Sequence, residues 1–183
     1  MAKTFLRQKG NYRDLIAFQK TECIYDITYY FAHKYLQRND RTVDQMIQAA
    51  RSGRQNIAEG CEGGTTSAET EIKLLNVAKA SLQELLLDYE DYLRVRELTL
   101  WDINSEKAMR TRRICATRND SAYYREAIKV RNDETICNIA ITLIHQTDML
   151  LRNYIAKIQQ DFLENGGIKE QMFKARIDYR NNH

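Results

Sequence analysis

The chain has 183 residues, a formal charge of +3 at pH 7, no proline and seven glycines, a length that allows one substantial core but is tight for two. So few helix breakers and turn formers leave a hairpin-rich fold without the residues it needs, and predict an all-α protein. Residues 1–10 carry Lys3, Arg7 and Lys9 with no apolar run behind them, and every later apolar stretch is interrupted well short of the roughly 20 residues of a membrane span; the expectation is a cytoplasmic protein with no membrane contact.

Residues 12–38 place Ile24, Ile27, Phe31 and Tyr35 at helical spacing and predict a first helix, ended by Asn39 and Asp40. Thr42 with Gln45 three residues on reads as a capping box opening a second helix. Its seam is Val43, Met46, Ala50, Gly53 and Ile57, the spacing of a bundle helix. A glycine inside a helix costs about 1 kcal/mol against alanine, so Gly53 on the seam implies close approach by a neighbour. Gly60 is expected to stop this helix, since glycine takes the left-handed conformation that closes helices.

Thr66 followed by Glu69 gives another capping box, and a third helix runs to about residue 98. Leu75, Ala78, Leu82, Leu85, Tyr89 and Tyr92 keep a heptad alternation along it. A stretch of different character, residues 99–132, follows with short helices expected near Ser105 and Ser121.

The fourth long helix, residues 133–163, carries two adjacent stripes. One is Ile136, Ala140, Leu143, Leu150 and Tyr154; the other is Cys137, Ile141, Ile144, Leu151, Ile155, Ile158 and Phe162. So wide an apolar face belongs to a helix central to a larger core or buried between subunits. Asp148 interrupts the second stripe, either buried with a cationic partner or at the solvent edge. Asn165, Gly166 and Gly167 end the helix, and a tail over residues 168–179 places Ile168, Met172, Phe173 and Ile177 on one side.

These elements predict an antiparallel up-down four-helix bundle over residues 12–163, with a helical insertion at about 99–132 and a tail at 164–183. Cys23, Cys61, Cys115 and Cys137 are widely spaced without a CxxC pair. They read as reduced thiols, Cys23 and Cys137 as small buried hydrophobes.

The run Gln45-Met46, then Asn56-Ile57-Ala58-Glu59-Gly60, Ser67 and Glu69, then Ala78-Lys79-Ala80-Ser81-Leu82-Gln83-Glu84-Leu85, resembles the four-helix-bundle proteins encoded by intervening sequences of bacterial large-subunit ribosomal RNA. Leu100-Trp101-Asp102, Leu143-Ile144-His145-Gln146 and the tail from Asn165-Gly166-Gly167 look like the variant with a four-helix-bundle suffix domain. The family is related to the accessory protein of diversity-generating retroelements, which binds the reverse transcriptase and nucleic acid. The resemblance implies a basic, non-enzymatic homopentamer. Two departures stand out: Ser52-Gly53 where the family has Ser-Ile, and the long insertion. Without the family, Asn56 and Glu59 read as structural groups that hydrogen-bond the turn after the second helix.

No catalytic or metal constellation emerges. Di-iron bundles need Glu-x-x-His on two helices, but Tyr30 and Thr142 precede His33 and His145 by three. Three histidines, one of them His183, with scattered thiols do not make a zinc site, and His145 reads as a polar margin of the fourth helix. The arginine-to-histidine spacing of helical ribonucleases is met only roughly, by Arg176 and His183. Nucleophile-elbow, phosphate-loop and dinucleotide motifs are absent, so the expectation is no enzyme and no cofactor.

The insertion is the feature that points to a function. Lys107, Arg110, Arg112, Arg113, Arg118, Arg125, Lys129 and Arg131 face only Glu106, Asp120 and Glu126, a net +5 in a chain of +3. Arginine forks suit phosphate, and Tyr123 and Tyr124 offer faces on which bases stack. The expectation is RNA or DNA binding, with Arg110, Arg112 and Arg113 as the decisive cluster and the patch repeated around an oligomer. The alternative is a protein-interaction scaffold, whose decisive residues would be Met172 and Phe173 in the tail.

Overall fold

The computed structural model describes residues 11–63 and 67–181, and among these every regular element is helical. The expected first helix is divided: a 3-10 turn (Tyr12–Asp14) is capped by the Asn11 side chain, Leu15 is extended, and α1 (Ile16–Tyr35) follows. Next, α2 (Arg41–Gly63) begins one residue before the expected Thr42. Asp40 does the capping, its carboxylate accepting the Thr42 amide at 2.9 Å. Hydrogen bonds from Thr42 hold that carboxyl below its ordinary range.

The expectation that Gly60 ends α2 is overturned. Gly60 is buried within the helix, where an added Cβ would lie 3.3 Å from Leu74 Cβ and 3.4 Å from the Glu71 carbonyl oxygen. Its lack of a side chain lets α2 lie against the backbone of α3 (Ala68–Val95) rather than closing the helix. Gly53 does the same farther along: a Cβ there would stand 2.9 Å from Leu82 Cδ2, as its place on the seam suggested.

Ser67 caps α3, accepting the Thr70 amide at 3.2 Å; the expected cap at Thr66 lies outside the described residues, as do residues 1–10 and His183. The heptad residues Leu75, Ala78, Leu82, Leu85, Tyr89 and Tyr92 are all buried. The helix stops at Val95, three residues early. The Leu98 amide donates to the Leu93 carbonyl and the Glu97 amide to the Arg94 carbonyl, with Glu97 at φ 55°. That is a Schellman closure built on a glutamate where glycine is usual.

The insertion folds as α4 (Glu106–Thr117) and α5 (Ser121–Lys129). Ser105 caps α4, accepting the Ala108 amide, whereas Asp120 rather than Ser121 caps α5. Then α6 (Asp133–Asn165) closes at Gly166, φ 71°, and α7 (Ile168–Asn181) follows with no buried residue.

Packing pairs α1 with α2, α2 with α3, α3 with α6 and α6 with α1, while α4 lies on α6 and α5 on α1. The core lies among the four long helices, with Ile24, Ile27, Phe31, Met46, Ile57, Leu82, Leu85 and Leu143 at its centre. Burial of each such side chain stabilises by about 1.5–3 kcal/mol. The wide apolar face of α6 has its explanation here: beyond its contacts with α1 and α3, Asn138, Ile139 and Ile141 are buried on a helix that also carries α4. All four cysteines are buried, and none is in a disulfide.

Several buried polar groups are paired across helices, which offsets their desolvation. Tyr89 donates to Thr28 at 2.9 Å, and Tyr154 donates to the buried Glu71 at 2.8 Å. Asn56 donates to the Ser52 carbonyl and hydroxyl, and Ser52 pairs with Ser81 of α3 at 2.9 Å. Asn56 therefore links α2 to α3 through Ser52 instead of binding the turn as expected, and Glu59 is exposed on the outer side of α2. Asp148 is half-buried at the edge, 2.6 Å from Arg152 and 4.0 Å from Lys79. The buried position in its stripe belongs to Thr147, whose hydroxyl donates to the Leu143 carbonyl.

Candidate nucleic-acid interface

Two short helices and the crossing before them shape a cleft against α6. The crossing is fixed by Asn138, which accepts the Trp101 amide at 2.9 Å and donates to the Thr99 carbonyl at 2.9 Å. Glu134 accepts from the Thr99 amide at 3.1 Å and from the Trp101 indole at 3.2 Å. Trp101 is thereby held at the mouth of a cavity of about 330 Å³ between α4, α5 and α6.

Lys107, Arg110 and Arg131 line this cleft together with the rings of Trp101 and Tyr123, and its lining holds no carboxylate. The Lys107 ammonium stands 5.8 Å from the Trp101 ring centroid, and the Arg118 guanidinium 5.1 Å from that of Tyr123. The Arg131 backbone is anchored to α1 by a hydrogen bond from the Tyr35 hydroxyl. The floor is neutral: burial pushes the Cys115 thiol and the Tyr124 phenol up from their ordinary values, so both keep their protons. The charge of the cleft is thus the charge of its three cations.

Beneath the floor lies a residue that sequence reasoning passed over. Lys20 of α1 is 2 % exposed and donates to the Cys115 carbonyl at 2.5 Å. That carbonyl is in the last turn of α4, where backbone acceptors lack helical partners and a cation is favoured. Burial lowers the Lys20 pKa, with the Cys115 and Cys23 thiols opposing the shift. The only sequence signal was a lysine four residues before Ile24 on an otherwise apolar face.

The expected cluster of Arg110, Arg112 and Arg113 is not one patch. Two residues apart on a helix of 3.6 residues per turn, Arg110 and Arg112 point to different sides. Arg110 lines the cleft, while Arg112 donates to the Ile103 carbonyl and lines a second groove with Leu100, Ile103, His145 and Met149. Arg113 and Arg118 are exposed on α4 and at its end. Arg125 is paired with Asp26 at 2.9 Å and Lys129 with Glu126 at 2.6 Å. Among the described residues no carboxylate lies within ion-pair distance of Lys107, Arg110, Arg113, Arg118 or Arg131.

Tyr123 is half-exposed, as a stacking face requires, but Tyr124 is 2 % exposed and donates to the Arg118 carbonyl at 3.1 Å. Tyr124 holds the α4–α5 turn in place and, at the floor of the cleft, is too buried for a base to stack on its ring. Asn56, Glu59 and Gly60 line none of these depressions. No group of three or more His, Cys, Asp or Glu among the described residues is arranged to hold a metal ion, and no helix there is long and apolar enough to cross a membrane. No family model, curated protein or solved structure matches the chain.

Proposed function

We propose that the protein is a non-enzymatic, cytoplasmic nucleic-acid-binding protein, built as an antiparallel up-down four-helix bundle whose helical insertion forms the binding surface. The observation that carries this reading is the convergence of Lys107, Arg110 and Arg131 with the Trp101 and Tyr123 rings on one cleft free of carboxylates. Cations without ion-pair partners are available to phosphate oxygens, and rings at the same opening suit bases. A homopentamer, in line with the family resemblance, would present the cleft five times and add weak contacts into useful affinity.

The test is fluorescence anisotropy with labelled structured RNA, single-stranded DNA and duplex DNA over a salt series. Wild type is expected to bind at about micromolar Kd or tighter, and less tightly as salt rises. Replacing Lys107, Arg110 and Arg131 together by glutamine is expected to weaken binding at least tenfold and to flatten the salt slope. Replacing Arg112 and Arg113 is expected to change affinity by less than about threefold, because neither lines the cleft. No binding of any of the three by wild type at low salt overturns the proposal.

A second reading, a protein-interaction scaffold, is favoured by one feature. Phe162, Met172, Phe173 and Ile177 are exposed along the end of α6 and α7, an apolar strip of the kind that marks interaction surfaces.

A further inference from the structure

On the other side of α5 lies a third depression, and it is aromatic. Tyr25, Tyr29 and His33 follow one another at intervals of four along α1 and so lie in a row of about 12 Å on one helix face. The Tyr29 and His33 ring centroids are 4.3 Å apart, and those of Tyr25 and Tyr29 are 6.3 Å apart. Tyr29 is 51 % exposed. The groove in front of them, about 670 Å³, is bounded on the far side by Arg125 and Lys129 of α5.

We infer that this groove takes the unpaired bases of a single-stranded nucleic acid, its backbone running over α5 into the basic cleft. The inference rests on the proposed nucleic-acid reading and names the form of the ligand. The groove's one carboxylate, Asp26, is bound by Arg125 at 2.9 Å and by the Ser121 hydroxyl at 2.7 Å. Lys34 stands 5.0 Å from the Tyr30 ring centroid, and Arg54 lies 4.7 Å from that of Tyr25. Cations therefore flank the half-buried Tyr25 and Tyr30 rings on either side of the exposed Tyr29, the pattern by which proteins hold single strands: phosphates on the rim, bases on aromatic faces.

The placement of α5 joins the two depressions. Its residues Tyr123, Tyr124 and Ala127, with Arg131 just beyond its end, line the basic cleft, while Arg125, Ile128 and Lys129 line the aromatic groove. The helix is a ridge nine residues long, with Arg125 and Lys129 on the slope toward the aromatic groove and Arg131, just past its end, on the side of the basic cleft. Duplex DNA keeps its base faces stacked inside the helix and cannot offer them to Tyr29. A single strand can.

The experiment compares a labelled oligodeoxythymidine with an abasic strand of equal length, same phosphates and no bases, on wild type, Tyr29→Leu, Tyr29→Phe and the Lys107/Arg110/Arg131 glutamine variant. Wild type is expected to bind the thymidine strand about tenfold tighter than the abasic one. Tyr29→Leu is expected to erase that difference while leaving abasic binding unchanged, and Tyr29→Phe to keep it. Thermal melting of Tyr29→Leu coincident with wild type excludes a folding defect at this exposed position. The glutamine variant is expected to weaken both strands alike. Equal binding of the two strands by wild type, or a Tyr29→Leu variant that still prefers thymidine, overturns the inference while the phosphate-binding reading stands. Absence of binding to either strand overturns the inference, and the phosphate-binding reading falls with it only when structured RNA and duplex DNA are not bound either.

Discussion

Gly60 is a residue whose meaning depends on what lies across from it. The sequence presents a glycine near the end of an amphipathic run, and a helix terminus is a sound expectation for it. The absent Cβ serves equally well to admit a neighbouring backbone, and only the position of α3 decides between the two uses. Gly60→Val is expected to lower the free energy of unfolding by about 2 kcal/mol, because the Glu71 carbonyl and Leu74 would have to retreat. Urea denaturation of this variant beside Glu59→Ala, expected within about 0.5 kcal/mol of wild type at an exposed site, checks it. The same scale explains why Tyr123 and Tyr124 were not separable in the sequence. Adjacent residues of a helix differ by about 100° in direction, and a nine-residue helix is too short for its periodicity to say which side is inside.

At the scale of elements, the long helices were legible because each repeats its pattern over several turns. The seam of α2 from Met46 to Ile57 and the heptads of α3 are buried where the spacing placed them, and Gly166, one of the expected glycine pair, ends α6. Their ends were less legible: Glu97 closes α3 in a conformation that its residue type does not announce. The insertion's two helices were visible from their serines, but not the clamp that seats them. Asn138 is a polar residue inside an apolar stretch, and its amide partners lie 37 to 39 positions away at Trp101 and Thr99. Asn138→Ala is expected to cost about 1–2 kcal/mol, from leaving the part-buried Trp101 amide and Thr99 carbonyl without their partner. Amide hydrogen exchange should rise first in residues 99–117, before α2 and α3. Uniform acceleration across all helices would contradict a local clamp.

Across the whole molecule, the buried thiols and phenols set the alkaline limit of stability. Burial raises Cys23 from 9.0 to about 12 and also raises Cys115, Cys137, Tyr89 and Tyr124. A group raised in the fold contributes its full stability below its unfolded pKa and loses it as pH climbs toward the folded one. For the thiols that window opens near 9. Lys20 has the opposite sign, because its pKa is held below 10.5 and its burial becomes less costly as the unfolded chain also gives up that proton. One lysine is set against three thiols, each worth about 1.4 kcal/mol per pH unit once ionised when unfolded. The urea midpoint under reducing conditions is therefore expected to fall steadily above pH 9. A midpoint that holds level to about pH 10.5 would contradict the burial of these groups.

Trp101 is the one tryptophan of the sequence, and the fold has put it on the partition between the basic cleft and the groove beside Arg112. Its indole N–H is tied to Glu134, and the Lys107 ammonium stands near its ring. The molecule thus carries a built-in fluorophore whose emission is tuned by one carboxylate and one cation. Anything that draws Lys107 away, or lays a second ring against the indole, changes colour or intensity at a known address, and an unlabelled titration can be read from the protein's own light.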